Sequence, residues 1–179
     1  MLKVVIPKSE QYDDVNNLFY YTKEQALTLE HSLVSVAKWE AKWHKPFLSR
    51  RNTTYEETAD YIRCMTLTQN VDPLVYNNIP SSVIEEVERY LDEPMTASTF
   101  PKDNSPPSRE IVTAEVIYYW MTELNIPFEC QKWHLNRLLT LIKTCSLKKS
   151  PRKKMSRRQT ASQYREMNRA RRKRFNTKG

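Results

Sequence analysis

Cys130 and His134 stand four residues apart in a segment with helical spacing, the nearest this sequence comes to a pair of metal ligands. A structural zinc site takes four ligands, usually as two spaced pairs. No second pair follows, and the three cysteines, Cys64, Cys130 and Cys145, form no CxxC. Cys130 therefore reads as a core thiol and His134 as a residue near the end of a helical hairpin. His31 lies among alternating leucines with no Ser or Cys nucleophile placed beside it. It reads as a satisfied core or sheet histidine rather than a general base. Glu40, between Trp39 and Trp43, reads as a solvated helix face. The single glycine is Gly179. Phosphate-cradling loops, dinucleotide-binding turns and nucleophile elbows need glycine for positive φ or close backbone approach. Those enzyme classes are excluded, no metal or cofactor is expected, and the chain is expected to bind rather than to catalyse.

The residues suited to binding are large and aromatic: Trp39, Trp43, Tyr118, Tyr119, Trp120 and Met121. Aromatic and Met side chains cover varied apolar surface without strict complementarity, which suits them to a helical client. Tyr118, Tyr119 and Trp120 are consecutive, so on a helix they point about 100° apart and cannot all face one core. At least one is expected to be exposed or in an interface. A core role for all six is the competing reading.

Charge falls in two blocks. Residues 147–179 hold 14 of the 29 basic residues and one of the 21 acids, Glu166, giving +13; residues 1–146 keep 15 basic and 20 acidic residues, giving −5. The pI near 9.4 describes the arm and not the domain before it. In the arm, Lys153, Lys154, Arg157, Arg158, Arg165, Arg169, Arg171, Arg172, Lys173 and Arg174 are the candidate contacts. Three readings stay open: a solubilising tail, a nucleic-acid contact that neutralises several phosphates with Tyr164 as the only stacking ring, or a dock for an acidic protein. Ala161, Tyr164, Met167 and Ala170 make too thin a stripe to fold alone, so the arm is expected to be flexible or a helix that orders on a partner.

The elements that must position these residues follow from hydrophobic period. LKVVI (2–6) and NLFYY (17–21) read as two strands of a small antiparallel sheet separated by a polar region. ALTLEHSL from Ala26 alternates and suggests a third strand, with a helical reading left open by KEQAL. After Ser35 the spacing of Val36, Trp39 and Trp43 becomes helical and ends before Pro46. Thr54 with Glu57 makes a capping box for a second helix carrying Ala59, Ile62 and Met65. Ser82 with Glu85 does the same for a third, carrying Val83, Val87, Tyr90 and Leu91. Residues 93–108, with four prolines, read as an exposed loop. Helices at about 109–124 and 130–145 form a hairpin, with Leu135, Leu138, Leu139 and Ile142 as its core stripe and Ile117, Met121 and Leu124 facing it. The expectation is an α+β, mainly α fold: a small N-terminal β-element, about five helices in a domain over 1–146, and the basic arm over 147–179. The apolar run at the N-terminus is too short for a secretory signal, and no stretch approaches the roughly 20 apolar residues of a membrane span.

Three stretches resemble a known family: LTLEHSLVSVAKWEAKWHKPF (27–47), DYIRCMTLTQNVDP (60–73) and REIVTAEVIYYWMTELNIPFECQKWHLNRLLTLIK (109–143), with the closing NTKG (176–179). They look like the tail assembly chaperones of bacteriophages with long non-contractile tails, small proteins encoded just before the tape-measure protein. The resemblance implies a holdase without catalysis that coats the helical tape-measure protein and helps recruit the tail-tube subunit. It also implies residence in the host cytoplasm, absence from the finished virion, and often a second, frameshifted length. Self-association stays open. A nucleic-acid-binding or head-to-tail structural phage protein using the basic arm is the alternative.

Overall fold

The computed structural model describes residues 1–179 except 14–16, 50–52, 101–109, 150–156 and 177–179. The chain divides into two units, Met1–Ser146 and Leu147–Gly179. It is mainly helical, with a small antiparallel β-element at the N-terminus.

Four strands open the chain: β1 (Leu2–Ile6), β2 (Ser9–Asp13), β3 (Leu18–Thr22) and β4 (Gln25–Leu29). β1 pairs with β4 and β2 with β3, both antiparallel. Residues 2–6 and 17–21, read as strands of one small sheet, are both strands but pair with other partners, in a nested order. Its reason is the alternation: Val4 and Ile6 on β1 need Leu27 and Leu29 on β4 to complete a buried face, and all four are buried. Ile6 faces Gln25 and Ser9 faces Thr22, so the two ladders keep one register across the break at Pro7, which has no N–H to donate. The result is a two-stranded ribbon. Its basal half sits on the core, while its distal half carries exposed Tyr12, Leu18, Phe19 and Tyr21. The free edge of β4 is met by the segment after the second helix: Glu30 N–H donates to the Met65 carbonyl (3.0 Å) and Leu67 N–H to the Thr28 carbonyl (2.8 Å).

The period-two pattern stops at Leu29, and helix α1 (Leu33–Trp43) starts before Ser35 because Ser32 caps it in a reciprocal box with Ser35. Helix α2 (Tyr55–Met65) has the Thr54–Glu57 capping box read from the sequence. Helix α3 (Ser81–Asp92) does not use Ser82 as its cap. Pro80 is the N-cap, with no side-chain hydrogen bond, and Val83, Val87 and Tyr90 are buried as the spacing requires. Helix α4 (Ala114–Glu123) begins later than residue 109, and α5 (Leu135–Lys149) later than residue 130, with a 3₁₀ turn at Phe128–Lys132 between them. α4 packs chiefly on α1. Ile117, Met121, Leu135 and Leu138 are fully buried with Leu33, Val36, Ile62 and Met65. Each such side chain contributes about 1.5–3 kcal/mol relative to exposure. Helix α6 (Arg157–Phe175) forms most of the second unit.

Turns are made almost without glycine. Asn17, Asn70, Asn125 and Asn176, with His44 and Met95, hold the positive φ positions. Asn tolerates the left-handed region better than other residues with a Cβ, because its short side chain bonds locally. Within the proline-rich segment, the described residues 93–100 have no regular structure, and the Phe100 ring lies 4.7 Å from the Lys143 ammonium.

Candidate functional site

The six aromatic and Met candidates separate into core and surface. Trp39 and Met121 are buried, so these two are corrected from partner contacts to core residues. Trp39 lies on the side of α1 that meets α2, where its indole N–H donates to the Glu57 carbonyl (2.9 Å) and its ring meets Phe47 edge-on at 5.3 Å. Trp43 is half-buried: its N–H donates to Asp60 Oδ2 (2.9 Å), and the Lys42 and Lys45 ammoniums lie 5.5 and 5.8 Å from its ring. It borders an open recess of about 490 Å³ with Tyr55, Arg63, Tyr76 and Asn77. On α4, Tyr118 and Trp120 are half-buried against the core. Tyr118 donates to Gln131 Oε1 (2.8 Å), and burial pushes its phenol above the usual range, with Glu115 adding to the shift. Tyr119 is 64% exposed, so of the three consecutive rings it alone faces solvent.

A further group of exposed rings lies on the distal ribbon, outside the six candidates. Tyr12 stands opposite Phe19 and Glu10 opposite Tyr21, so these four share one face of the distal ribbon. The Tyr12 and Phe19 rings are 4.7 Å apart, and Tyr12 also donates to Asn17 Oδ1. Phe19 is 58% and Tyr21 70% exposed. The Glu10 carboxylate, through a hydrogen bond and its charge, holds the Tyr21 phenol above its ordinary range. Lys8, Lys23 and Glu24 edge a recess of about 500 Å³ beside Tyr21. On the other face, the Ser9 and Thr22 hydroxyls meet at 2.7 Å. An exposed, ring-lined face with charged edges can take an apolar segment, and the ribbon's backbone edges can pair with an extended one. The signal was present in NLFYY: three consecutive aromatics on a strand must alternate faces, and the facing SEQYD offers only Tyr12 in return.

His31 and His134 form a buried polar junction. His31 lies just past β4, its Nδ1 2.5 Å from the Tyr61 hydroxyl and its ring edge-on to His134 at 5.1 Å. His134 Nδ1 accepts from Asn136 N–H (3.3 Å), which leaves Nε2 to donate to the Tyr90 carbonyl (3.1 Å). Burial pushes the His134 pKa down, partly opposed by the Tyr90 carbonyl and the Glu30 and Glu93 carboxylates. The Tyr90 hydroxyl donates to Glu30 Oε1 (2.9 Å), and burial with that acid raises its pKa strongly. The junction ties the β4–α1 turn to α2, α3 and α5. Cys130 lies in the 3₁₀ turn and His134 at the start of α5, so they do not share a helix. Among the described residues no three His, Cys, Asp or Glu side chains gather as a metal-holding group, and no helix is long and apolar enough to cross a membrane.

Glu40 is not a solvated residue. It is buried, its Oε1 accepting from Phe47 N–H and its Oε2 from Ala114 N–H, each at 2.7 Å. In the arm, Arg165, Arg169, Arg171, Arg172, Lys173 and Arg174 are exposed along α6, as is Arg158. Lys153 and Lys154 lie outside the described residues, and Arg157 opens the helix. Comparison with known proteins finds no family model, curated protein or solved structure that matches the chain.

Proposed function

We propose that this chain is a tail assembly chaperone of the long-tailed phage type. It binds the helical, apolar-striped tape-measure protein in the host cytoplasm, helps recruit tail-tube subunits, and performs no catalysis. The observation that carries this reading is the distal ribbon, whose Tyr12, Phe19 and Tyr21 lie together on one exposed face. Grouped exposed rings favour an interaction surface, and aromatic anchors commonly dominate binding energy. The exposed Tyr119 offers a second, smaller contact on the same unit. The resemblance over 27–47, 60–73 and 109–143 supplies the client.

A chaperone leaves its client once assembly is complete. Mass analysis of purified particles is expected to find no stoichiometric copies of the chain, while pull-down from cells during assembly recovers it with the tape-measure protein. Stoichiometric copies in finished particles would overturn the reading in favour of a structural virion protein.

A further inference from the structure

α6 carries its cations in a pattern that defines a second binding surface, independent of the ribbon. Between Arg157 and Phe175 the helix holds seven Arg and one Lys against a single acid, Glu166. Arg158, Arg165, Arg169 and Arg172 recur at spacings of seven, four and three, which places them within about 60° of one another on one side of the helix. Three of them line a shallow recess of about 730 Å³ with Lys173, Asn176 and the single acid Glu166. Arg171 and Arg174 fall on the opposite side with Tyr164 and Met167, and all four are exposed. Nineteen residues at about 1.5 Å each give a rod about 28 Å long.

We propose that α6 binds the phosphate backbone of a nucleic-acid duplex by lying in a groove, with the Arg158–Arg165–Arg169–Arg172 stripe on one phosphate wall and Arg171 and Arg174 on the other. Guanidinium is the side chain best matched to phosphate, since it donates in a planar fork and never loses its charge. An acidic protein surface would also attract it, but a protein partner meets one face of a helix and centres that face on apolar anchors. The arginine stripe has no apolar residue within it, and cations occupy both sides of the rod. A groove about 12 Å wide admits a helix and presents phosphates on both flanks. Phosphate contact of this kind carries no sequence information, so binding is sequence-independent.

The test uses the full chain and a labelled random-sequence duplex of about 20 base pairs, with anisotropy measured at salt between about 50 and 200 mM. With six to eight phosphates engaged, the log–log salt slope is expected near −5 to −7, a loss of about 10³–10⁴ in affinity over that range. The R158Q/R165Q/R169Q/R172Q variant is expected to lower the slope by about 3–4 units, while a Phe19→Ala variant leaves it unchanged. A wild-type slope shallower than about −2, or a slope the fourfold variant does not alter, overturns the proposal. So does displacement by poly-glutamate as effective, charge for charge, as by unlabelled duplex, which would assign the stripe to an acidic protein. A melting curve for the fourfold variant that matches the wild type shows that the loss is one of contacts and not of folding.

Discussion

The Glu40 carboxylate on α1 receives the backbone N–H of Ala114, the first residue of α4, at 2.7 Å across 74 residues of sequence, and its second oxygen takes Phe47 N–H at the same distance. A buried anion thus sits at a helix N-terminus, where unpaired N–H groups and the helix dipole favour negative charge. It also fixes the chain's exit from α1. Glu40→Ala would leave both N–H groups unsatisfied and is expected to cost about 2–4 kcal/mol. Glu40→Gln keeps one acceptor oxygen and should cost about half as much. Urea unfolding of the two variants checks the order; equal stability of wild type and Glu40→Ala would show the carboxylate to be dispensable.

Leu138 and Tyr119 provide the contrast between core and surface. Leu138 is fully buried, so Leu138→Ala is expected to cost about 2–5 kcal/mol through lost contacts and the cavity left behind. Tyr119→Ala removes a ring that is mostly in water and should change stability by no more than about 0.5 kcal/mol. Thermal melts of the pair decide it.

His134 makes stability sensitive to mild acid. Burial pushes its folded pKa below the ordinary imidazole value of 6.5. Below about pH 6.5 the unfolded chain therefore takes up a proton that the folded chain still refuses. This penalty is absent at pH 7 and above, and grows as the pH drops through the unfolded pKa until the folded histidine also titrates. The stability of the wild type should accordingly fall more steeply between pH 7 and 5 than that of His134→Gln. Parallel pH profiles for the two proteins would contradict the assignment.

How much of this was legible in the sequence depended on whether the deciding contact was local. Helices α1 to α3 and the Thr54–Glu57 cap could be read because apolar spacing and capping act within one or two turns. The pairing of β1 with β4 could not, because it is settled by which distant strand completes the buried face of Val4 and Ile6. β2 looked like a polar spacer because Tyr12, its one aromatic residue, is exposed and so no buried apolar alternation marks the strand. Trp39 and Glu40 are neighbours in sequence, and both were misplaced for the same reason. Burial of the indole depends on α2, and burial of the carboxylate on two backbone amides, one of them on α4. Tyr119 was legible in kind but not in person: three adjacent rings required an exposed one, and only the packing of α4 on α1 selects it.

The arm is expected to be separable from the fold. Its described side chains Tyr164, Met167 and Phe175 are all exposed, so its described residues bring no large buried apolar side chain. A chain ended after Lys149, which keeps α5 whole, should melt cooperatively with stability within about 0.5 kcal/mol of the full chain. Loss of the cooperative transition would show that the body needs the arm.

Under the proposed function, the ring-lined face of the distal ribbon holds the client. A binding titration of the full chain, wild type and Phe19→Ser/Tyr21→Ser, against the client that the proposed function names, a phage tape-measure protein, with a melting curve for each, decides this. Both rings are exposed, so the melting temperature should be unchanged, while affinity should fall by about 30-fold or more, as expected when an anchor worth about 2 kcal/mol is removed. Unchanged melting together with affinity within about twofold of wild type would show that the ribbon does not hold the client.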